Sequence, residues 1–421
     1  MTAAAKGQSG YHKLNAVHVG ERSISAYEGV VPDEIMEALY SESKWLRGAR
    51  VLHLNATPFG GGVSEILRSA VPLLNDLGLH AEWRVIHGNG RFFDVTKAMH
   101  NGLQGDPKGI TEAEMEIYLE TSHANAQALQ VDYDYIFVHD PQPVAILSMI
   151  DRGAAKWVWR CHIDTSKPNP TVWGFLHPFM KAYDAVVYTM PEFVPKDADM
   201  NHVAIIPPAI DPLSPKNMNL PIAMAREILD YIGINPAKPL ITQVSRFDPW
   251  KDPMGVIAAY KLVKQEIPDL QLAMVGSMAM DDPEGWTIYE EVCRAGEDDG
   301  DLHTFSNLTG VGNIEVNAFQ RESQLCVQKS IREGFGLVVS ETLWKGTPMV
   351  AGRAGGIVLQ MEDGVGGMLV DSVDECAQAI HTLLTQPHQA REMAASGRKR
   401  VREEFLLPRH LLDELKLMQR L

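Results

Sequence analysis

RVLHLNATPFGGGVSEILRSAVPLLNDLG, residues 50–78, joins a short apolar run to a glycine loop and then to a longer stretch with apolar residues at helical spacing. A run of strand length followed by a helical period indicates a buried strand and then an amphipathic helix. Further along the chain, short β-branched runs keep alternating with helical patterns. This alternation predicts an α/β protein with parallel sheets covered by helices on both faces.

The predicted strands fall into two series. The first series is RVLHLN (50–55), DYIFVH (134–139), KWVWRCHI (156–163), DAVVYT (184–189) and VAIIP (203–207). The second series is PLITQVSRF (239–247), QLAMVG (271–276), LCVQ (325–328), TPMVAG (347–352) and GGMLV (366–370). We therefore expect two doubly wound domains, each built on its own sheet.

The stretch PPAIDPLSPKN, residues 207–217, has four prolines in eleven residues, which suits a stiff connection better than a strand or a helix. A chain of 421 residues also exceeds what a single core usually holds. We expect a first domain at 1–210, a hinge at 207–217 and a second domain at 218–404, with a C-terminal helix at 405–421 completing the first domain. Two domains imply a cleft between them.

The composition excludes several classes of partner. The chain has 54 acidic and 38 basic residues, and its net charge of −16 opposes binding to nucleic acid or an anionic membrane. The N-terminus lacks the apolar core of a signal peptide, and no segment approaches the roughly 18 apolar residues that span a bilayer. The four cysteines lie far apart, which argues against a zinc site or a disulfide scaffold. We expect a cytoplasmic protein.

Two loops have features of phosphate binding. TPFGGG ends in Gly61 and Gly62, between a predicted strand and helix, where glycine admits a ligand and a helix N-terminus offers N–H groups. SRFDPWK places Arg246 and Lys251 at the end of another strand, and this pair of cations suits a diphosphate. The alternatives are a tight turn and a solvated loop.

The stretch SIREGFGLVVSE brackets a glycine-broken apolar run with Glu333 and Glu341. A buried carboxylate is costly unless it is paired or hydrogen-bonded, so the stretch suggests a ligand. The N–H groups around Gly334 and Gly336 could face an anion, and the following helix is predicted to end at Gly346. Carboxylates accept hydrogen bonds from paired sugar hydroxyls. The alternative is that Glu333 caps the helix and Glu341 is exposed on it.

Polar residues end two further strands of the first series. VHDPQP supplies His139 and Asp140, and RCHID supplies Arg160, His162 and Asp164. Strand ends of a doubly wound sheet border its ligand site, although a histidine there is more often a hydrogen-bonded structural group. HExxH, GxSxG and Walker A motifs are absent from the sequence, so hydrolysis of those types is not supported.

Together these motifs resemble the family-four retaining glycosyltransferases, which have two glutamates separated by seven residues and GFG after the first. Within that family the strings HLNATPFGGG, VHDPQP, WRCHID, PPAIDP, TQVSRFDPWK, DDPEGW and SIREGFGL are most similar to those of the trehalose glycosyltransferring synthases. The resemblance covers nearly the whole chain. It implies the GT-B fold, with two Rossmann-like domains facing a deep cleft, and transfer of glucose from a nucleoside-diphosphate glucose to free glucose, forming trehalose, often reversibly.

The resemblance also implies roles for the site residues. The implied catalytic residues are Arg246 and Lys251 on the departing diphosphate, Glu333 on the donor glucose, and His162 near its reacting carbon. The implied donor-binding residues are Gly61, Gly62, Gly334, Phe335, Gly336, Leu337 and Glu341, with Glu341 on the ribose. The weaker acceptor-binding candidates are Asp140, Arg160 and Asp164. No metal site or tightly bound cofactor is implied, although Mg²⁺ could accompany the nucleotide.

Three alternatives stay open at this point. A phosphorylase on the same scaffold would cleave trehalose with inorganic phosphate and would not need Glu341 for a ribose. A retaining glycosyltransferase could use another acceptor, such as a sugar phosphate. A noncatalytic sugar or nucleotide sensor is disfavoured because Arg246, Lys251, Glu333 and Glu341 are all present. The nucleotide base and a homodimeric state are not decided by these motifs.

Overall fold

The chain divides into two compact units. The computed structural model describes residues 13–277 and 283–421, so Asp281 and Asp282 of the DDPEGW string lie outside the described residues. The first unit contains the chain up to Ile24, Tyr40–Ile206 and Asp413–Leu421. The second unit contains Ser25–Leu39 and Pro207–Leu412.

The first unit has a seven-stranded sheet. Its strands are β1 (Asn15–Ala16), β2 (Arg50–Asn55), β3 (His80–Val85), β4 (Tyr135–His139), β5 (Lys156–Arg160), β6 (Ala185–Tyr188) and β7 (His202–Ile205). The order is β1-β3-β2-β4-β5-β6-β7. Only β1 pairs in the antiparallel sense within this described sheet. The predicted strands are confirmed, and the sequence analysis missed β1 and β3; in β3 exposed and buried residues alternate, so it has no continuous apolar run.

The helices of this part of the chain lie between the strands in sequence. They are α1 (Asp33–Ser43), α2 (Gly62–Asp76), α3 (Gly90–Leu103), α4 (Glu112–Ala128) and α5 (Pro170–Met180). As predicted, α2 begins at the end of the glycine loop, and its buried face includes Leu67, Ala70 and Leu74 at helical spacing. The division between the units falls within α1.

The second unit has its own seven-stranded sheet. Its strands are β8 (Leu240–Arg246), β9 (Gln271–Ser277), β10 (Leu302–Ser306), β11 (Leu325–Gln328), β12 (Met349–Gly352), β13 (Glu362–Asp363) and β14 (Gly366–Val370). The order is β10-β9-β8-β11-β12-β14-β13, and the recorded pairings are parallel. Every strand predicted here is confirmed, and β10 and β13 are additional.

Helices cover both faces of the second sheet. The helices of the second unit are α6 (Ile222–Tyr231), α7 (Pro253–Lys264), α8 (Pro283–Ala295), α9 (Asn313–Glu322), α10 (Leu337–Trp344), α11 (Ile357–Gln360), α12 (Val373–Thr385) and α13 (Pro387–Glu404), and α14 (Leu407–Arg420) follows them at the end of the sequence. One buried apolar cluster includes Tyr260 of α7 and Ile380 of α12. A second includes Leu229 of α6 and Phe319 of α9. Two separate apolar clusters are typical of a doubly wound sheet, because helices pack on both of its faces.

Each sheet has one point where the strand order reverses. In the first unit this point lies between β2 and β4, and in the second it lies between β8 and β11. Doubly wound sheets bind ligands beside the carboxyl ends of the strands at such a point. Gly61 and Asp140 follow β2 and β4, whereas Lys251 and Glu333 follow β8 and β11. The topology therefore places the predicted motifs at the two sheet edges where a doubly wound fold would bind a ligand.

The proline-rich stretch at 207–217 belongs to the second unit. The N–H of Ile210 donates to the carbonyl of Phe405 at 2.9 Å, and Ile210 forms an isolated bridge with Leu406. The terminal helix α14 contains residues of both units, since the division falls after Leu412. Within the described ranges, no helix is long and apolar enough to cross a membrane.

Candidate active site

An ion pair joins the two loops at the reversal point of the second sheet. Nζ of Lys251 lies 2.6 Å from Oε2 of Glu333, and the hydroxyl of Ser330 lies 3.0 Å from the same oxygen. The two charged side chains are only 16% and 9% exposed. A carboxylate with so little water around it depends on such partners. Glu333 therefore faces the lysine and does not cap α10, whose N-cap residue is Gly336.

Two further contacts tie these loops together. The N–H of Ile331 donates to the carbonyl of Trp250 at 2.8 Å, and Lys329 forms an ion pair with Asp252. Asp252 has a left-handed backbone, with φ of 46°, and caps α7 by accepting the N–H of Gly255 at 3.1 Å. The loops after β8 and β11 consequently form one connected structure that fixes the ion pair.

Arg246 lies at the other end of the loop that carries Lys251. Its side chain is 57% exposed, and its guanidinium lies 3.1 Å from Oδ2 of Asp248. Asp248 also accepts the N–H of Trp250 at 2.9 Å, which orients its carboxylate. A guanidinium has five N–H donors, so the contact with Asp248 leaves others able to bind an anion.

The glycine loop before α10 is held by a residue that sequence reasoning missed. Nε2 of Gln360 donates to the carbonyl of Phe335 and, at 3.2 Å, to that of Gly336. The side chain of Phe335 is buried, with its ring 5.5 Å from that of Phe405, so any contact with a ligand would come from its backbone. Gly336 offers no side-chain cap to the N-terminus of α10, which begins at Leu337. The free N–H groups of that helix end can receive an anion.

Glu341 is buried, so the alternative of a solvent-exposed helix residue is wrong. Its side chain is 1% exposed. Nε2 of Gln320 lies 3.2 Å from one carboxylate oxygen, and Nζ of Lys216 lies 3.5 Å from the other. One turn later, Lys345 donates to Oδ1 of Asn217 at 2.8 Å. Burial lowers the pKa of Lys345 to about 7, although the charge of Glu341 opposes that change.

In the first unit, the glycine loop leads into the N-terminus of α2, which has no side-chain cap. Gly60 and Gly61 have φ values of 74° and 89°, a region that residues with a Cβ rarely adopt. Gly61 is the N-cap residue of α2 and supplies no side-chain hydrogen bond, and α2 begins at Gly62. The loop thus leaves N–H groups and the positive end of a helix dipole at this edge of the sheet.

Three histidines form a row that ends at the same edge. Nδ1 of His139 lies 3.0 Å from Nε2 of His162, and Nε2 of His139 lies 3.1 Å from Nδ1 of His53. His53 and His139 are buried, whereas His162 is partly exposed. The structure therefore brings the two predicted histidines together and adds His53, which the sequence analysis did not single out.

Among the acidic and basic candidates of this unit, Asp140 contacts the row. Asp140, with φ of 62°, accepts the backbone N–H of His162 at 2.9 Å. Burial raises the pKa of Asp140 to about 7, while that N–H and the charge of Arg160 act in the opposite direction. Arg160 and Asp164 are buried, and Asp164 accepts the N–H of Ser166 at 3.0 Å. Their contact with an acceptor sugar stays a prediction.

The residues that sequence reasoning missed share one property. Each contacts a predicted residue from a distant part of the chain, and its own local sequence does not indicate that contact. They are His53, Lys216, Gln320 and Gln360. In the part of the chain that the structure describes, no group of three or more His, Cys, Asp or Glu side chains is placed to hold a metal ion.

Comparison of folds defines the class of protein. The α,α-trehalose-phosphate synthase (UDP-forming) from Burkholderia xenovorans, solved in complex with glucose-6-phosphate, matches with a TM-score of 0.70. The match covers 88% of this chain and all of that one, at 15% identity, and so concerns the fold alone. A domain described as glycosyl transferases group 1 matches residues 225–400. The protein is a glycosyltransferase with the GT-B fold.

Sequence comparison then defines the family. The N-terminal domain of trehalose synthase matches residues 53–195. Trehalose synthase from Rubrobacter xylanophilus is 49% identical over 414 residues, which cover 97% of this chain and 99% of that protein. Trehalose synthase from Pyrococcus horikoshii is 43% identical, with 96% and 97% covered. The chain belongs to the trehalose synthase family.

A more distant likeness concerns the phosphorylase alternative. Trehalose phosphorylase from Pleurotus pulmonarius is 28% identical over 83% of this chain, which spans only 54% of that protein. The likeness to synthases is higher and covers nearly the whole of both chains. The resemblance predicted from the motifs is therefore confirmed, with the synthase favoured over the phosphorylase.

Proposed function

We propose that the protein transfers a glucosyl group from a nucleoside-diphosphate glucose to free glucose, with retention of configuration and in a reversible reaction. The bond between the anomeric carbon and the diphosphate breaks, and a bond to the acceptor hydroxyl forms. The products are trehalose and a nucleoside diphosphate. The proton of the acceptor hydroxyl goes to the departing phosphate oxygen.

One observation carries this proposal. Two buried glutamates lie on a single stretch at the reversal point of the second sheet, and each faces a lysine: Glu333 faces Lys251, and Glu341 faces Lys216. A carboxylate can accept hydrogen bonds from the paired hydroxyls of one sugar ring. A nucleotide sugar has two such rings joined by a diphosphate. We assign Glu341 to the ribose and Glu333 to the glucose.

The cations suit the part of the ligand between the two rings. Negative charge grows on the diphosphate as its bond to the sugar breaks, so positive groups already in place lower the barrier. Lys251 is fixed by the connected loops, and the exposed guanidinium of Arg246 lies at the other end of its loop. We assign these two groups to the diphosphate and His162 to the sugar. The uncapped N-terminus of α2 at Gly61 is a further anion-binding group.

The products formed from trehalose test the reaction directly. We would incubate the purified protein with trehalose and, separately, with ADP, UDP, GDP or inorganic phosphate, and identify the sugar products. A nucleoside-diphosphate glucose would support the transferase and identify its base. Glucose 1-phosphate formed only with phosphate would make the protein a phosphorylase. If no tube gave a product, the same assay with sugar phosphates as acceptors would follow.

Three finer expectations belong with this proposal. We expect no tightly bound metal, so that EDTA leaves the rate within about twofold; a larger loss that Mg²⁺ restores would contradict it. A homodimer would be detected by light scattering as twice the mass of 46.6 kDa. A cytoplasmic location would be checked by fractionation of cells that express the full chain.

A further inference from the structure

The row of histidines in the first unit connects three neighbouring strands of its sheet. His53 lies in β2, His139 ends β4, and His162 follows the last residue of β5, Arg160, by two positions. Adjacent rings stack with centroids 5.4 Å apart at both steps, and the angles between their planes are 30° and 17°. The ring of His53 also stacks on Phe137 at 5.1 Å. Packing and hydrogen bonding thus restrain all three rings.

The row runs from the interior to the partly exposed edge of the sheet. His53 is fully buried, His139 is 4% exposed and His162 is partly exposed. His162 is held at two points, because its ring contacts His139 and its backbone N–H donates to Asp140. Consecutive residues at the end of β4 therefore fix both the ring and the backbone of the histidine that we assign to the sugar.

The pairing of nitrogens restricts where protons can be. A neutral imidazole has one N–H and one acceptor nitrogen, and each hydrogen bond contains one proton. The two bonds use Nδ1 of His53, both nitrogens of His139, and Nε2 of His162. The third proton of the neutral row must then lie at one end, on Nδ1 of His162 or on Nε2 of His53. The three rings consequently change tautomer together.

We propose that His53 and His139 are positioning residues that hold His162 as the Nδ1–H tautomer, in which Nδ1–H is the donor to the sugar substrate or the departing phosphate. In this state every ring in the row has its proton on Nδ1. Nδ1–H of His53 donates to His139, and Nδ1–H of His139 donates to Nε2 of His162. A donor at the partly exposed outer end can be hydrogen-bonded by water or by the oxygen-rich ligand, whereas the inner end at His53 is fully buried. This inference rests on the proposed function only for the identity of that ligand.

The first test measures the tautomer without substrate. The side chains of histidine would be labelled with ¹⁵N, and the Nδ1 and Nε2 resonances of His162 would be assigned by their loss in His162→Gln. The spectra would be recorded at a pH where imidazole is neutral. We expect Nδ1–H in the wild type and a shift toward Nε2–H, the form that predominates in free histidine, in His139→Leu. A wild-type His162 with its proton on Nε2 would overturn the proposal.

The second test measures turnover with variants of His139. His139→Leu removes both bonds, whereas His139→Asn keeps an amide close to the position of Nδ1. We expect His139→Leu to lower kcat by at least about tenfold and to change KM for the donor less. A loss of this size is typical when a group that sets the tautomer of a functional histidine is removed. His139→Asn should recover much of that loss. Equal rates in the two variants, both below wild type, would indicate a purely structural role.

A control variant and the wild type separate the possible failures. His177 stacks on Trp173 at 4.9 Å and lies outside the row, so His177→Phe should keep the wild-type rate. If the wild type made no nucleotide sugar from trehalose, the proposed function would fail, yet the ¹⁵N spectra would still test the row. If the wild type were active and His139→Leu kept its full rate, the positioning role alone would fail.

Discussion

The absence of a side chain at Gly336 makes room for the side chain of Glu333. A Cβ added at Gly336 would lie 3.1 Å from Cγ of Glu333 and 3.3 Å from its carboxyl carbon. Gly336 also has φ of 80°, so two requirements coincide at this position. The glycine of the GFG motif is thus explained by both the backbone and the neighbouring glutamate, and no ligand needs to be invoked.

Gly346, at the other end of α10, has only one of these two requirements, the left-handed backbone. Gly346 has φ of 77°, and an added Cβ would meet nothing within 4 Å. Gly346→Ala should therefore cost only the backbone strain, about 1–2 kcal/mol of unfolding free energy. Gly336→Ala should cost more and also raise KM for the donor sugar, because Glu333 must move. Urea denaturation and donor kinetics of both variants measure this, and equal effects on both quantities would contradict it.

Breaking the pair of Lys251 and Glu333 should affect stability and catalysis differently. Lys251→Ala leaves the mostly buried carboxylate of Glu333 without its cation. In fully buried pairs such a change lowers the free energy of unfolding by about 3–5 kcal/mol, and here the loss should be smaller because water reaches both groups. Glu333→Gln in the same chain should restore stability. It should not restore kcat, since the cation facing the diphosphate is still missing and such groups contribute about a hundredfold or more. Melting temperatures and kcat for the single and double variants form the test, and recovered activity in the double variant would contradict the assignment of Lys251.

The strands and loops of the site were predictable because their signals are local. The apolar run at 325–328 is buried on both faces, and Gly346 ends α10 with the left-handed backbone expected of a residue after a helix C-terminus. The pairing of Glu333 with Lys251 was not predictable in this way. These residues are 82 positions apart and meet only because β8 and β11 are neighbours in the sheet.

The weakest predictions concerned residues whose environment is built from several segments. His53 reads as an ordinary residue of an apolar strand, and only the order of β2, β4 and β5 brings it to His139. Phe335 stands in the glycine motif, yet its ring packs against Phe405 from a distant segment. Ser25–Leu39 belongs to the second unit although it precedes the first predicted strand. Local patterns identify elements, whereas these contacts depend on topology.

Lys216 should affect the binding of the donor more than its turnover. Its Nζ lies 3.5 Å from Oε1 of Glu341, and its side chain is 16% exposed. Lys216→Met keeps the length and removes the charge, so Glu341 loses a stabilising cation. Because a ribose is bound equally before and during reaction, KM for the donor should rise about tenfold with kcat nearly unchanged. Lys261→Met on the exposed face of α7 is the control, and a fall in kcat with constant KM would contradict the prediction.

Asp140 should make stability fall as pH rises from about 4 to about 7. Burial raises the pKa of Asp140 to about 7 in the folded protein, whereas an unfolded aspartate has a pKa of about 3.9. Between these values the folded state keeps a proton that the unfolded state has lost, so each pH unit costs up to about 1.4 kcal/mol. Asp140→Asn removes this loss, keeps an oxygen for the N–H of His162, and suits φ of 62°. Relative to wild type, its unfolding free energy should therefore be higher at pH 8 than at pH 5. Asp230→Asn on the surface is the control, and a difference that stays constant or reverses between the two pH values would contradict the assignment.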